Sequence, residues 1–502
     1  MSWAFRDRQI FHWISKGNND EEYEMQEKEN NVRMPKVWEA LLVLGFLVAM
    51  LAIGIIIYEV DPHVPLLLGV LGAAVMAAVL GYKWDQIEHF MIKGISKAMQ
   101  SIIILVIIGV LIGVWLDAGV VPAMIYYGLK VLKPSIFFIA TMLICSITSL
   151  ATGTSWGTMG TMGVALMGIG FGLGMNPGMT AGAIISGAYF GDKMSPLSDT
   201  TNLAPAMSGT DIMSHIKFMI LPTAIVYGLC VIFYGILGFM QYQGGNADLS
   251  TVTMLEDSLS GMFSINPLLL LPPVIVIVAV ALKVPAIPGI TLGIFAGAVV
   301  GMIFQPECTL GSLFECGMNG FSCETGIYEI DRLLNTGGIM NMMFSVSMTI
   351  IAMMFGGIME ETHQLEVIVN KLKTLVKKPA GLVALTEATC VVSNAVMPEQ
   401  YISIVVPGRM YSEEYKKMGL SATSLSNALE SSGTITSALI PWNTCGVFIM
   451  STLGITVSQY GPWALFNWMM PIACLIMAFM GITVADSEGV RLISKKKVKA
   501  QN

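Results

Sequence analysis

A chain of 502 residues that is 54% hydrophobic and only 12% charged departs from the balance of a soluble globule, in which charged side chains approach about 25%. Apolar runs of about 20 residues recur along its length, the pattern of a protein that crosses a bilayer many times. The formal charge of −7, with no basic tract interleaved with aromatics, sets nucleic acid aside as a partner. No Ser/His/Asp arrangement or phosphate-binding loop points to an enzyme. Of the eight cysteines, Cys145, Cys230, Cys390, Cys445 and Cys474 fall in apolar runs as small core residues. Cys308, Cys316 and Cys323 share one polar loop, where a disulfide is open to them on an oxidising side. No spacing resembles a zinc site.

In chain order, residues 1–35 are polar and Glu-rich and read as a cytoplasmic extension, with a short interfacial helix over Phe5 to Ile14 and no cleavable signal peptide. Spans are expected from Val37 to Tyr58, Val64 to Leu80 and Ser101 to Leu116, with a surface helix from Lys83 to Gln100. The stretch from Ile136 to Gly174 is apolar at both ends but interrupted by the polar run Ser149 to Thr158. Neither half is a comfortable span, so a re-entrant hairpin that dips to mid-membrane is expected. After a helix from Pro177 to Phe190 comes Gly191-Asp-Lys-Met-Ser-Pro-Leu-Ser-Asp-Thr-Thr-Asn-Leu-Ala-Pro205, with two aspartates, four hydroxyls and two prolines. Proline breaks a helix and frees carbonyls, which a membrane tolerates only where protein or a watery cavity surrounds the break. Carbonyls, hydroxyls and a carboxylate make the oxygen-rich cage a hard cation takes. An unwound membrane helix that binds a small cation is expected here, in preference to a plain cytoplasmic loop. A span from Lys217 to Gln241 and a polar, acidic connector from Gln243 to Ser260 follow.

The second half repeats this plan. At a shift of 245 residues Pro134 falls on Pro379, Pro196 on Pro441, Ser198 on Asn443 and Asp199 on Thr444. The polar run Ser149 to Thr158 falls on Asn394 to Ser403, a second interruption in a short apolar segment. Lysine and arginine set the orientation: Arg491 and Lys495 to Lys499 place the tail inside, and Lys371, Lys373, Lys377 and Lys378 do the same for the loop before the second hairpin. The stretches Gln241 to Ser260 and Gln305 to Thr336 go outside, although Lys130 and Lys133 then land outside against the rule. About five crossings per half, an odd number, make the halves inverted. The expected fold is therefore an all-α polytopic membrane protein of two inverted repeats, each with a re-entrant hairpin and a broken helix. Its divisions are 36–242 for the first repeat, 243–263 for an extracellular connector, 264–485 for the second repeat and 486–502 for a basic cytoplasmic tail. Both termini are expected in the cytoplasm.

Hairpin tips and broken helices of such repeats meet near the midplane. The first half offers Thr152, Thr154, Ser155, Ser195, Ser198, Asp199, Thr200, Thr201 and Asn202, of which Asp199, Thr154 and Ser155 are the expected Na⁺ ligands. A buried Asp199 carboxylate holds a cation or a proton but not both, the minimal mechanism of exchange. Its other reading is an N-cap of the following helix. Asp192 and Lys193 either pair with each other or act. The second half has no acid in the place of Asp199. It offers Glu399 with Asn394, Asn427, Asn443 and Thr444 as a pocket for a second proton or for an organic amine or hydroxyl, and Glu430 nearby in sequence. Packing through interhelical hydrogen bonds is an equal reading for Asn394 and Asn427.

The motif from Gly191 to Ala204, with Thr152-Gly-Thr-Ser-Trp-Gly-Thr158, Ser426-Asn-Ala-Leu-Glu-Ser-Ser-Gly-Thr434 and Ile440-Pro-Trp-Asn-Thr444, resembles the NhaC-type sodium/proton antiporter family. The resemblance covers about residues 37–485. It implies the architecture of the ion-transporter superfamily in the cell membrane, often as a homodimer, with Na⁺ and H⁺ as transported ions and no cofactor. Members of that family also exchange malate and lactate or carry amino acids. An ion-coupled exchanger or symporter of a small carboxylate or an amino acid is therefore the alternative cargo.

Overall fold

The computed structural model describes residues 32–243, 249–282, 284–325, 331, 334–374 and 376–493. The greater part of the expected N-terminal extension and the lysines of the tail lie outside them. Among the described residues the chain is helical, with only the isolated bridges Leu420–Asp486 and Ala485–Arg491. Among these residues eight helices are long and apolar enough to cross a membrane, or ten if each of two bent pairs counts as one span. The protein is an all-α, multi-pass membrane protein, as its hydropathy requires.

The chain divides into two compact units, residues 1–96 with 351–371 and residues 97–350 with 372–502. In the first, α1 (Val37–Ala52) packs on α2 (His63–Leu80), where a side chain on Gly72 would sit 2.6 Å from the Phe46 ring. Helix α3 (Trp84–Lys97) crosses the end of helix Ile339–Glu361 through Gly94 and Gly357, a small-residue contact of the kind that lets membrane helices approach. Lys93 reaches Glu361 at 3.2 Å.

In the second unit α4 (Met99–Asp117) leads towards the first hairpin. Its first limb is α5 (Phe137–Thr152); Gly153, at φ +68°, turns the chain into the short α6 (Ser155–Thr158), a π-helical stretch Met159–Gly163 and α7 (Val164–Gly172). The first limb, counted from Pro134, is a predominantly apolar run of 19 residues, about 28 Å at 1.5 Å per residue. That corrects the expectation that neither limb is long enough to cross. Next come α8 (Pro177–Met194), the break Ser195–Ser198, α9 (Asp199–Ser208) and the long α10 (Ile212–Gln243). The expected polar connector is largely a helix, α11 (Leu249–Met262), because Leu255 and Leu259 fall on one face four residues apart and are both buried.

The second hairpin is α12 (Pro379–Val396) and α13 (Ile402–Lys417), followed by α14 (Ala422–Leu429), a π-helical stretch Glu430–Thr434, α15 (Thr444–Leu453) and α16 (Leu465–Met480). Local features recur 245 residues apart. Gly174 and Gly419 both take φ +66°, and Gly209 and Gly454 end α9 and α15 at φ +81° and +67°. Asn176 and Ser421 cap α8 and α14, and Ser198 and Asn443 cap α9 and α15. The tightest seam joins α8 to α5. A side chain on Gly191 would meet the backbone of Ser146 and Leu150, Gly187 lies as close to Met142, and Ser149 Oγ donates to the Ala188 carbonyl at 2.6 Å.

The two ends of α10 gather different loops. At its start Arg491 donates to the Phe218 carbonyl at 2.8 Å, and the segment bearing Arg491 is tied to Leu420 and Ser421 after the second hairpin. At its other end Gln241 donates to the carbonyl of Gly174, after the first hairpin. Gly174 and its counterpart Gly419 thus lie at opposite ends of one 32-residue helix.

Candidate functional site

The first hairpin tip, the break between α8 and α9 and the second hairpin tip meet around a cavity of about 430 Å³. Thr152, Thr154 and Trp156 come from one tip, Glu399, Gln400 and Tyr401 from the other, and Asp192, Ser198, Asp199 and Thr200 from the break. Gln100, Ser101 and Ile104 of α4 add to the wall, as do Val284 and Pro285. Among the described residues, three carboxylates line this space and no lysine or arginine does. Among the described residues no cluster of three or more His, Cys, Asp or Glu side chains forms a metal centre. The oxygen donors here are carboxylates, hydroxyls and amide carbonyls, a set that suits a loosely held hard cation.

Several motif residues hold the broken backbone together. Thr201 Oγ1 donates to the carbonyls of Asp192 at 2.9 Å and Lys193 at 3.1 Å, two acceptors freed where α8 ends. Ser195 Oγ donates to the Leu150 carbonyl at 2.8 Å, tying the break to the first hairpin. Asn202 Nδ2 donates to the carbonyls of Pro196 and Ser198. Ser195, Thr201 and Asn202, expected in the ion-binding set, also brace this scaffold. Thr154 caps α6, accepting from Gly157 N at 3.2 Å, whereas the buried Thr152 hydroxyl has no hydrogen-bond partner and lines the cavity.

The buried aspartate of the break is Asp192, not Asp199. Asp192 is 6% exposed, and its Oδ2 accepts from Ser155 Oγ at 2.6 Å and from Ser155 N at 3.2 Å. Asp199 is exposed on the cavity wall, where the Tyr401 hydroxyl donates to its Oδ2 at 3.5 Å. The reason lies in the cap: Ser198 caps α9, accepting from Thr201 N, so Asp199 is the first helical residue and projects outward. This also removes the reading of Asp199 as the N-cap. Asp192 and Lys193 do not pair; the Lys193 ammonium is fully buried and donates to Ser431 Oγ at 3.1 Å and Met219 Sδ at 3.2 Å.

Of the five second-half residues expected in one pocket, Glu399, Asn394, Asn443 and Thr444 lie together and Asn427 lies apart. Glu399 is buried on the cavity wall, where Ser101 Oγ donates to its Oε2 at 3.4 Å. Asn394 and Asn443 bond each other and the second break: Asn394 Nδ2 donates to the Gly433 carbonyl at 2.8 Å, and Asn443 accepts from Cys445 N. Thr444 N donates to the Pro398 carbonyl at 2.9 Å. Asn427 lies elsewhere, donating to Cys474 Sγ. Glu430 is fully buried and accepts from Thr200 Oγ1 at 3.3 Å, which joins it to α9. Tyr401 and Trp156, which stacks on Phe448 at 4.3 Å, were not anticipated. Neither was Glu387, although an acid within the apolar run of α12 is itself a signal of function. Cys308, Cys316 and Cys323 are all unpaired.

Broken helices and paired hairpin tips around an acidic cavity, within a bundle of apolar helices, are the parts of a secondary transporter. The chain matches the Na⁺/H⁺ antiporter family over residues 15–189 and 187–482, and it belongs to that family. It is 36% identical to the Na⁺/H⁺ antiporter NhaC of Alkalihalophilus pseudofirmus over 450 residues, 90% of this chain and 97% of that one. The malate-2H⁺/Na⁺-lactate antiporter of Bacillus subtilis is also 36% identical, over 90% of this chain and 96% of its own. The arginine/ornithine antiporter ArcD of Halobacterium salinarum matches at 36%, over 89% and 93%. These relatives are antiporters rather than enzymes.

Proposed function

We propose that the protein exchanges Na⁺ for H⁺ across the cell membrane, with both ions competing for the carboxylates of the cavity. The observation that carries this reading is a cavity lined by three carboxylates, Asp192, Asp199 and Glu399, with no lysine or arginine among the described residues of its wall. Asp192 and Asp199 lie within electrostatic range of each other. Two negative charges so placed favour one positive partner, and a proton or a cation each satisfies that need. Asp192, held by Ser155, is the seat for which the ions compete, with Asp199 and Thr152 facing the same space. A proton on Asp192 removes the charge that holds Na⁺; Na⁺ on Asp192 excludes the proton. This exchange is the antiport.

The inverted arrangement of residues 36–242 and 264–485 is supported by the placement of the equivalent glycines Gly174 and Gly419 at opposite ends of α10. Lys217 lies in the first turns of α10, Lys416 and Lys417 in the last turn of α13 and Arg491 in the segment tied to both, which favours that end as cytoplasmic. The working unit is proposed to be a homodimer.

A second reading rests on size. The cavity of about 430 Å³ is far larger than the roughly 30 Å³ that one water occupies, and it has room for a small organic solute. Its acidic lining favours an amine, as in an amino acid, over a bare dicarboxylate. Proteoliposomes with imposed Na⁺ and pH gradients decide between the readings. Na⁺-driven proton movement without organic solute is the expected result, and Asp192→Asn is expected to lower it by about 10²-fold or more, the scale on which a positioned proton carrier contributes. Movement that occurs only with malate, lactate or ornithine present establishes the second reading. Exchange that survives intact in Asp192→Asn overturns the assignment of the seat.

A further inference from the structure

Three charged side chains are buried behind the cavity without lining it. Lys193, Glu387 and Glu430 are 0%, 5% and 0% exposed. Lys193 donates only to neutral acceptors, Ser431 Oγ and Met219 Sδ, while Glu430 and Glu387 lie within its electrostatic range. One ammonium and two carboxyls leave a net negative charge inside the protein, which is costly unless one carboxyl holds a proton. One oxygen of each acid, Glu430 Oε2 and Glu387 Oε1, has no hydrogen-bond partner.

Glu430 alone of these acids is joined to the cavity. Its Oε1 accepts from Thr200 Oγ1 at 3.3 Å, and that hydroxyl lies 3.1 Å from Ser198 Oγ. Ser198 and Thr200 both line the cavity. Glu430 also opens the π-helical stretch Glu430–Thr434, an irregularity found disproportionately at functional sites. The charged groups that face Glu430 are Asp192 and Lys193 on α8; Glu387 on α12, Cys474 on α16 and His215 on α10 surround Lys193, and Tyr415 on α13 faces Glu387 and Cys474. His215 bonds Ser426 through Nδ1, and its buried Nε2 has no partner.

We propose that Glu430 is a second proton-carrying carboxyl of this transporter, separate from the cation seat, and that it exchanges its proton with the cavity through the Thr200 hydroxyl beside the fixed positive charge of Lys193. The proton leaving Glu430 passes to Thr200 Oγ1 as the proton of that hydroxyl passes on, through Ser198 Oγ, to water in the cavity. Thr200 ends neutral and nothing is oxidised or reduced. The inference rests on the cavity being the ion route and adds a proton seat that does not take the metal ion. Na⁺ in the cavity then favours the ionised form of Glu430 at a distance, so that proton leaves as Na⁺ arrives.

Infrared spectroscopy of the full-length protein in lipid nanodiscs tests this through the protonated-carboxyl band, titrated with pH in the presence and absence of NaCl. The wild type is expected to show a component that disappears as pH rises, at lower pH with Na⁺ than without, and that Glu430→Gln lacks. Transfer to D₂O times the relay. Thr200→Val, close in shape, is expected to slow exchange of that component by about 10²-fold, and Thr200→Ser to restore it. This pair decides the matter even if Glu430→Gln does not fold. A component that persists unchanged in Glu430→Gln, or an exchange rate that Thr200→Val leaves unaltered, overturns the proposal. If Glu430→Gln lacks the component but Na⁺ shifts nothing in the wild type, Glu430 stands as the proton carrier and the Na⁺ reading of the cavity falls.

Discussion

Ser155 holds Asp192 twice, through its hydroxyl at 2.6 Å and its amide at 3.2 Å. Both bonds favour the ionised carboxylate, the form a cation binds. Ser155→Ala removes the shorter bond and an oxygen beside the seat. We expect the Na⁺ concentration for half-maximal exchange to rise about tenfold, roughly 1.4 kcal/mol, in proteoliposome assays, while Ser195→Ala, far more a matter of the scaffold, acts mainly on thermal stability. An unchanged Na⁺ dependence in Ser155→Ala separates Ser155 from the seat. The residues at this scale were only partly legible in the sequence. The density of oxygens around Pro196 announced a site, but not which aspartate is buried. Helix α8 is buried on nearly every face, from Gly178 to Lys193, so its periodicity carries no sign of direction. Only the cap on Ser198 turns Asp199 outward, and Ser198 and Asp199 are both good capping residues by type.

The break and the hairpin tip act as one element. Gly153 turns the tip at φ +68°, and a side chain there would lie 2.7 Å from the Leu197 backbone carbon, in the break itself. Alanine in this left-handed conformation costs about 1–2 kcal/mol, and the contact with Leu197 forces tip and break apart as well. Gly153→Ala is therefore expected to lower the melting temperature in detergent and to slow exchange. Asparagine tolerates the conformation but carries the same Cβ, so Gly153→Asn is expected to remain impaired. Full recovery in Gly153→Asn shows that backbone conformation alone matters there. Breaks and tips were readable because proline and glycine act locally, whatever the tertiary surroundings. The helix within the connector was not legible for the opposite reason: only the packing that buries Leu255 and Leu259 makes their spacing count.

At the scale of the molecule, the sequence interval of 245 residues reappears in capping residues and positive-φ glycines, but a shared interval says nothing about direction across a membrane. Direction comes from α10, whose first turns meet the segment bearing Arg491 and whose last turns meet Gly174. Lys416 and Lys417 end α13 at exposed positions, just before the backbone bond from Ser421 to Ala485. Ser458 is exposed on the short helix after Gly454, next to Gln459, whose carbonyl approaches Gly178 close behind Gly174. If the halves are inverted and the basic end faces the cytoplasm, these two exposed positions lie on opposite sides of the bilayer. Single cysteines at Lys416→Cys and Ser458→Cys, in a background carrying Cys323→Ser because Cys323 is partly exposed, test this with a membrane-impermeant maleimide. Ser458→Cys is expected to react in intact cells, and Lys416→Cys only in inside-out vesicles. Reaction of both from one side removes the inverted arrangement, because Lys416 lies in the last turn of the second hairpin as its counterpart 245 residues earlier, Phe171, lies in the last turn of the first.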